Sequence, residues 1–198
     1  MADAAAQIYH LVAPLLQEAT RVLLQQADLL RTLQPRLQAC VKPAAATLAS
    51  HRAQEQGGAR VLRTILAHIS DAVPRLEVAA GHLASALSLA VSNGAARDAL
   101  PVLDAGLSHD EIAAQLVALP GAYGGDYSAQ DVPNSVHVAH TCVRLAIDHY
   151  LHRCAWVLRR ISLSETPIED ALGYLATAYV LVEVAWVHAF DADLHGRP

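Results

Sequence analysis

Aromatic side chains and lysines are scarce in this chain, and each scarcity narrows what the protein can be. Only 5% of the residues are aromatic although 54% are hydrophobic, so the core must be built from Ala, Leu and Val. These residues pack helices closely and give little tendency to form strands. Lys42 is the only lysine, and the formal net charge is −5. An acidic chain of this kind is not expected to bind nucleic acid in general.

Cysteines are few and are not spaced as metal ligands. The three of them, Cys40, Cys142 and Cys154, form no Cys-x-x-Cys pair, and an odd, sparse set is typical of reduced thiols. The first ten residues show no basic segment and no signal-peptide cleavage pattern. We therefore expect a cytoplasmic protein, and its 198 residues predict a single all-helical domain over 1–198.

Motifs for common enzyme chemistries are missing as well. The chain has no G-x-x-x-x-G-K-[ST], G-x-G-x-x-G, G-x-S-x-G or H-E-x-x-H pattern, so P-loop, dinucleotide, serine-hydrolase and zinc-protease chemistry have no support. It also lacks the E-x-x-H pattern of a ferritin-like di-iron site. No cofactor can be predicted from the sequence.

Helical periodicity is what the sequence does contain. A 3,4 spacing of apolar residues predicts helices over 3–33, 43–55, 59–91, 134–161 and 167–190. Pro35 and the pair Gly57-Gly58 mark helix ends, and a capping box of Ser108 and Glu111 begins another helix that ends before Pro120. These elements predict an all-α, mostly antiparallel bundle of five to seven helices, with an irregular loop over about 120–133.

Two helices have unusual apolar patterns. In the first, a second ladder recurs every seven residues, which predicts contact with at least two neighbouring helices: Leu16, Leu23, Leu30 and Leu37. In the last, residues 171–190 contain Glu183 as the only carboxylate. This run is long enough to span a bilayer, but a carboxylate near its middle costs about 2.5–3.5 kcal/mol there. We therefore interpret it as a buried C-terminal helix at the centre of the bundle, with no membrane partner.

Glu183 and His140 are the candidate catalytic residues. A lone carboxylate on a helix that is apolar on every side should be buried, and burial raises its pKa toward the range of a general base. His140 falls at the edge of the apolar arc of its own helix. The other interpretation is structural, with Glu183 paired to an arginine or bonded to His140, and His140 satisfied in the core.

Histidines are more frequent than expected by chance, with eleven in the chain. His137, Asp148 and His152 share a face of the helix over 134–161, at spacings that can hold a metal ion. Arg144 lies on the same stripe and would repel a cation, so a solvated surface is favoured. We predict no metal site.

The segment 121–133 is glycine-rich and carries the candidate ligand-binding residues Tyr123, Asp126 and Tyr127. It is expected either to close over a pocket at the end of the bundle or to connect two parts of it. Just before it, residues 97–116, RDALPVLDAGLSHDEIAAQL, resemble the first two helices of a helix-turn-helix of the response-regulator type. The resemblance implies DNA binding through a third helix, but the following residues, PGAYGGDYSAQDVP, predict a loop in that place.

Three functions follow from these patterns. The preferred one is a non-enzymatic helical-bundle protein that forms a homo-oligomer and binds a protein partner or a small apolar ligand, because the mean hydropathy of +0.27 requires covered surface. The alternative is a small all-helical enzyme with a bundle pocket that uses a buried carboxylate and histidine as acid/base groups or metal ligands. A DNA-binding transcriptional regulator is the second alternative.

Overall fold

The computed structural model describes residues 2–41, 48–92, 111, 132–160 and 168–195. Within these ranges the chain forms four helices and no strand, which confirms the all-α class. They are α1 (Ala2–Val41), α2 (Leu48–Ser92), α3 and α4 (Ile168–His195). Helix α3 consists of two α-helical segments, Val132–Leu145 and His152–Arg160, joined by a π-helical turn over Ala146–Leu151.

The four helices form a ring in which neighbours run antiparallel. Helices α1 and α3 each pack against both α2 and α4. Tyr9 at the start of α1 is hydrogen-bonded to Asp193 at the end of α4, and Cys154 near the end of α3 is bonded to Ala171 at the start of α4. Glu18, in the first half of α1, lies close enough to His82, in the second half of α2, for an electrostatic interaction. The arrangement is therefore an up-down-up-down bundle.

Leucines of α1 occupy the centre of the core. The predicted seven-residue ladder is fully buried, as expected for a helix that contacts two neighbours: Leu16, Leu23, Leu30 and Leu37. Ile69, Leu76 and Leu83 of α2 are buried in the same continuous cluster. Helix α4 contributes mainly alanines to its inner face, including Ala178, Ala185 and Ala189, which allows the helices to approach closely.

Two predicted helix ends are wrong. Pro35 lies inside α1, since Leu33 and Leu37 on either side of it are both fully buried and each burial contributes about 1.5–3 kcal/mol. Gly57 and Gly58 lie inside α2, because a helical glycine costs only about 1 kcal/mol. The helices predicted over 43–55 and 59–91 are therefore one helix, and the predicted count of five to seven is not matched in the described residues.

Two other expectations fall largely beyond the described residues. The helix predicted to begin at the capping box of Ser108 and Glu111 lies there, except that Glu111 is described and is helical. The predicted loop over 120–133 also lies there, apart from its last two residues, which belong to α3 and are buried. The helix predicted over 134–161 is found over 132–160, and the one over 167–190 extends to His195.

The prediction of a buried C-terminal helix is also wrong. Helix α4 is at a corner of the ring, not at its centre, and Glu183, Phe190 and Leu194 are exposed. Only 44% of its most apolar window is buried. By length and composition alone, α4 is the one helix among the described residues that could cross a membrane, a test that core helices of soluble proteins also pass.

Candidate functional site

Glu183, the first candidate catalytic residue, is on the protein surface. Its Oε1 accepts a hydrogen bond from the Tyr179 hydroxyl at 2.9 Å. The two residues are four apart on α4, so this is a contact along one helix face. The expected burial of Glu183 is wrong, because the residue is exposed, and the physical basis for its proposed general-base role is lost with it.

His140, the second candidate, is half-buried on α3. Its pKa is lowered, first by burial and then by the neighbouring charge of Arg144. The imidazole is therefore held in its neutral form at neutral pH. Because Tyr179 is the partner of Glu183 and Arg144 is the charge acting on His140, the structure does not join the two candidates into a catalytic pair.

An ion pair lies on the face of α3 that carries His137, Asp148 and His152. The Arg144 guanidinium donates from Nη2 to both carboxylate oxygens of Asp148, at 3.0 and 2.7 Å. His152 is exposed and His137 is half-buried. In the part of the chain that is described, no three His, Cys, Asp or Glu side chains lie close enough together to hold a metal ion.

The cysteines are placed for packing and not for chemistry. Cys142 and Cys154 are buried in α3, and burial raises the pKa of each thiol to about 12. Cys40 is half-buried, and burial raises its pKa as well. A thiol with so high a pKa is not a nucleophile at neutral pH.

The predicted ligand-binding loop falls beyond the described residues. Tyr123, Asp126 and Tyr127 lie outside them, as does the helix-turn-helix-like segment apart from Glu111. A depression is present on the surface of α2, but a single helix supplies all of its lining and it opens broadly to solvent. Its residues are Arg60, Arg63, Thr64, Ala67, His68 and Asp71.

The outer face of α4 carries a feature that sequence reasoning missed. Seven residues recur there at spacings of 4, 3, 4, 3, 4 and 4, the pattern of a helix that packs against another helix. Each of them is exposed or half-buried. We call this set the α4 outer seam: Leu172, Ala176, Tyr179, Glu183, Trp186, Phe190 and Leu194.

An aromatic pair lies near the C-terminal end of the α4 outer seam. The rings of Trp186 and Phe190 are 5.9 Å apart between centroids and are inclined by 31°. Phe190 is the only phenylalanine of the chain, yet it is 43% exposed, and Leu194 beside it is 46% exposed. Exposed aromatic pairs of this kind are typical of the central residues of protein interfaces.

Charge is distributed unequally between α4 and its neighbour α3. Helix α4 contains no Lys or Arg, and its acidic residues are Glu169, Asp170, Glu183, Asp191 and Asp193. Asp193 is buried and accepts hydrogen bonds from Tyr9 and Gln17. Helix α3 has the opposite balance, with Asp148 as its only acid and four arginines: Arg144, Arg153, Arg159 and Arg160.

An exposed aromatic side chain also lies among the arginines of α3. Trp156 is 50% exposed, and the guanidinium of Arg160 lies 4.3 Å from the centroid of its ring. A cation over an aromatic face is a stabilising contact of about 0.5–1 kcal/mol at an exposed position. The last turns of α3 therefore present a basic and aromatic surface, which we call the α3 Arg–Trp cluster: Arg153, Trp156 and Arg160.

Comparison with protein families, with curated proteins and with solved structures finds no match to this chain.

Proposed function

We propose that the protein is a non-enzymatic helical bundle that assembles with a second copy of itself through the α4 outer seam. The observation that carries this proposal is the 3,4 spacing of seven residues on a face that the described helices leave exposed or half-buried. A helix inside a four-helix ring needs one such seam toward its neighbours. Leu172, Tyr179 and Trp186 of the outer seam also pack against the bundle's own core. The exposed apolar side chains that a further partner would cover are Phe190 and Leu194.

The seam is long enough to form part of an interface between two copies. From Leu172 to Leu194 it extends over about 33 Å, at 1.5 Å per residue, and a helix contact about 10 Å wide gives a strip of roughly 330 Å². The largest apolar patch on a typical monomer is about 300–600 Å² and is often functional. The seam falls within that range.

A second copy fits this face better than a lipid bilayer does. Glu183 lies in the middle of the seam, and a carboxylate at the centre of a bilayer costs about 2.5–3.5 kcal/mol. Helix α4 also lacks the Lys and Arg residues that attach a surface helix to anionic headgroups. Against another protein helix, Glu183 keeps its bond to the Tyr179 hydroxyl.

The test is the oligomeric state of a variant with a polar outer seam. We expect the wild type to form a dimer at micromolar concentration, and Phe190→Ser with Leu194→Ser to be monomeric, because the two most exposed apolar side chains of the seam are removed. Sedimentation velocity over a concentration series measures this. Circular dichroism checks that the helices and the melting temperature are retained.

A matched control uses two apolar residues that are equally exposed on other helices. Leu11 of α1 and Val78 of α2 are 52% and 53% exposed, and we expect Leu11→Ser with Val78→Ser to leave the dimer intact. A monomeric wild type, or equal weakening by both pairs, would contradict the proposal. If the wild type is monomeric in buffer and floats with neutral phosphatidylcholine vesicles, the seam belongs to a membrane instead.

A further inference from the structure

The α4 outer seam is too small to be a whole interface. A strip of roughly 330 Å² is well below the about 800 Å² per partner that stable protein interfaces bury. A second copy held by the seam must therefore also contact a neighbouring helix. Of the two neighbours of α4, α3 carries the charge opposite to that of α4, with four arginines and one acid.

We infer that the α3 Arg–Trp cluster of one copy docks at the C-terminal end of α4 of a second copy, against Phe190 of the outer seam and the adjacent Asp191. This inference rests on the proposed function, and it specifies how the two copies are arranged. The contact occurs twice, because a two-fold axis repeats it in the opposite direction.

Among the described residues, no carboxylate neutralises the arginines of the cluster. Asp148, the only acid of α3, is ion-paired with Arg144. Within the described residues neither Arg153 nor Arg160 has a carboxylate at ion-pair distance. Both arginines are exposed, and Trp156 between them offers an aromatic face that is half open to solvent. Arg and Trp are the residue types most enriched at energetically important positions of interfaces.

Asp191 is the acid of α4 that gains most from an external cation. It lies close to the C-terminal end of the helix, where the negative end of the helix dipole disfavours a carboxylate. Glu169 and Asp170 are in the first turn, where their own helix already stabilises negative charge. Asp193 is satisfied by Tyr9 and Gln17. The unbalanced charge of α4 is therefore at the same end as the aromatic pair.

The cluster cannot reach that end within one chain. Because α3 and α4 are antiparallel, the last turns of α3 lie beside the start of α4, as the bond from Cys154 to Ala171 shows. Phe190 is about 30 Å further along α4, at 1.5 Å per residue. A two-fold axis perpendicular to the bundle, near the turn from Tyr179 to Glu183, brings the cluster of one copy to the far end of α4 in the other.

Charge reversal tests this arrangement. We expect Asp191→Arg to weaken dimerisation about tenfold, and Arg153→Asp with Arg160→Asp to do the same, because each creates repulsion in two symmetric contacts. Combining all three substitutions in one chain should restore the dissociation constant to within about threefold of wild type. Sedimentation velocity at low salt gives the dissociation constants, and raising the salt concentration should weaken only the wild type and the restored variant.

The matched control is Glu169→Arg with Asp170→Arg, which changes more charge at the opposite end of the same helix. It should leave the dissociation constant near that of the wild type. If this control weakens the dimer and Asp191→Arg does not, the two-fold axis is parallel to the bundle and the inferred docking is wrong. If Phe190→Ser with Leu194→Ser dissociates the dimer but no charge reversal does, the inference fails while the proposed function stands. A monomeric wild type would contradict both the proposed function and this inference.

Discussion

His188 is a polar side chain in an otherwise apolar part of the core. It is buried, and its Nδ1 has no hydrogen-bond partner among the described residues. Burial lowers its pKa from 6.5, and the nearby carboxylate of Asp191 opposes this shift. The folded protein therefore holds the neutral imidazole, whereas the unfolded chain takes up a proton at an ordinary pKa.

This difference makes the stability of the protein depend on pH. The contribution of His188 to the free energy of unfolding is fully present above about pH 6.5. It is lost as the pH falls, because the unfolded state then binds a proton that the folded state does not. His140, whose pKa is also lowered by burial, acts in the same direction. We expect the urea midpoint to be lower at about pH 5.5 than at about pH 7.5, with a smaller difference in His188→Gln. An unchanged difference in that variant would contradict the assignment to His188.

Among the elements, α2 offers the clearest test of helix continuity. Gly57 and Gly58 are inside it, and a Cβ added to either would meet no atom within 4 Å. We expect Gly57→Ala and Gly58→Ala each to increase the free energy of unfolding by about 0.5–1 kcal/mol, because alanine loses less backbone entropy in a helix. Urea denaturation followed by circular dichroism measures this. A loss of stability would instead indicate a helix end at the glycine pair.

The π-helical turn of α3 keeps its apolar face directed at the core. Val143, Ile147, Leu151 and Ala155 are all buried at a constant spacing of four residues. On a regular α-helix each four-residue step turns by about 40°, so this stripe would rotate away from the core. The π-helical turn over Ala146–Leu151 is wider and accommodates one more residue than an α-helical turn, so the stripe stays directed at the core. Sequence reasoning applied one helical period throughout and had no means to locate this change.

The buried face of a helix could be predicted from the sequence where polar residues separate the apolar ones. The ladder of Leu16 to Leu37 has a defined direction on α1, so its burial was correctly expected. Helix α4 is apolar on its inner and outer sides alike, and such a pattern does not show which side faces the core. For that reason Glu183 was wrongly placed inside the bundle and the α4 outer seam was not found. The rule that a proline ends a helix failed at Pro35, because burial of Leu37 beyond it outweighs the free-energy cost of a proline inside a helix.

For the molecule as a whole, Glu183 is expected to limit assembly and not to support the fold. In the proposed dimer, its position near the two-fold axis would bring two carboxylates toward each other, and like charges in a contact weaken it. We expect Glu183→Gln to strengthen dimerisation several-fold and to leave the melting temperature of the bundle almost unchanged, as measured by sedimentation velocity and circular dichroism. Glu77→Gln, at an exposed position of α2, is the control. A weaker dimer or a much lower melting temperature would contradict this placement.

The hydrogen bond between Tyr9 and Asp193 joins positions that are 184 residues apart, and this has a consequence for biosynthesis. At about 5–20 residues per second, a ribosome needs roughly 10–40 s to make the chain between them. During that time α1 has been synthesised, but α4, one of its two neighbours, has not. Any hairpin that α1 and α2 form in that time has one side of the leucine ladder uncovered. The unfinished chain therefore exposes more apolar surface than the completed bundle, and it is the form in which aggregation is expected to begin.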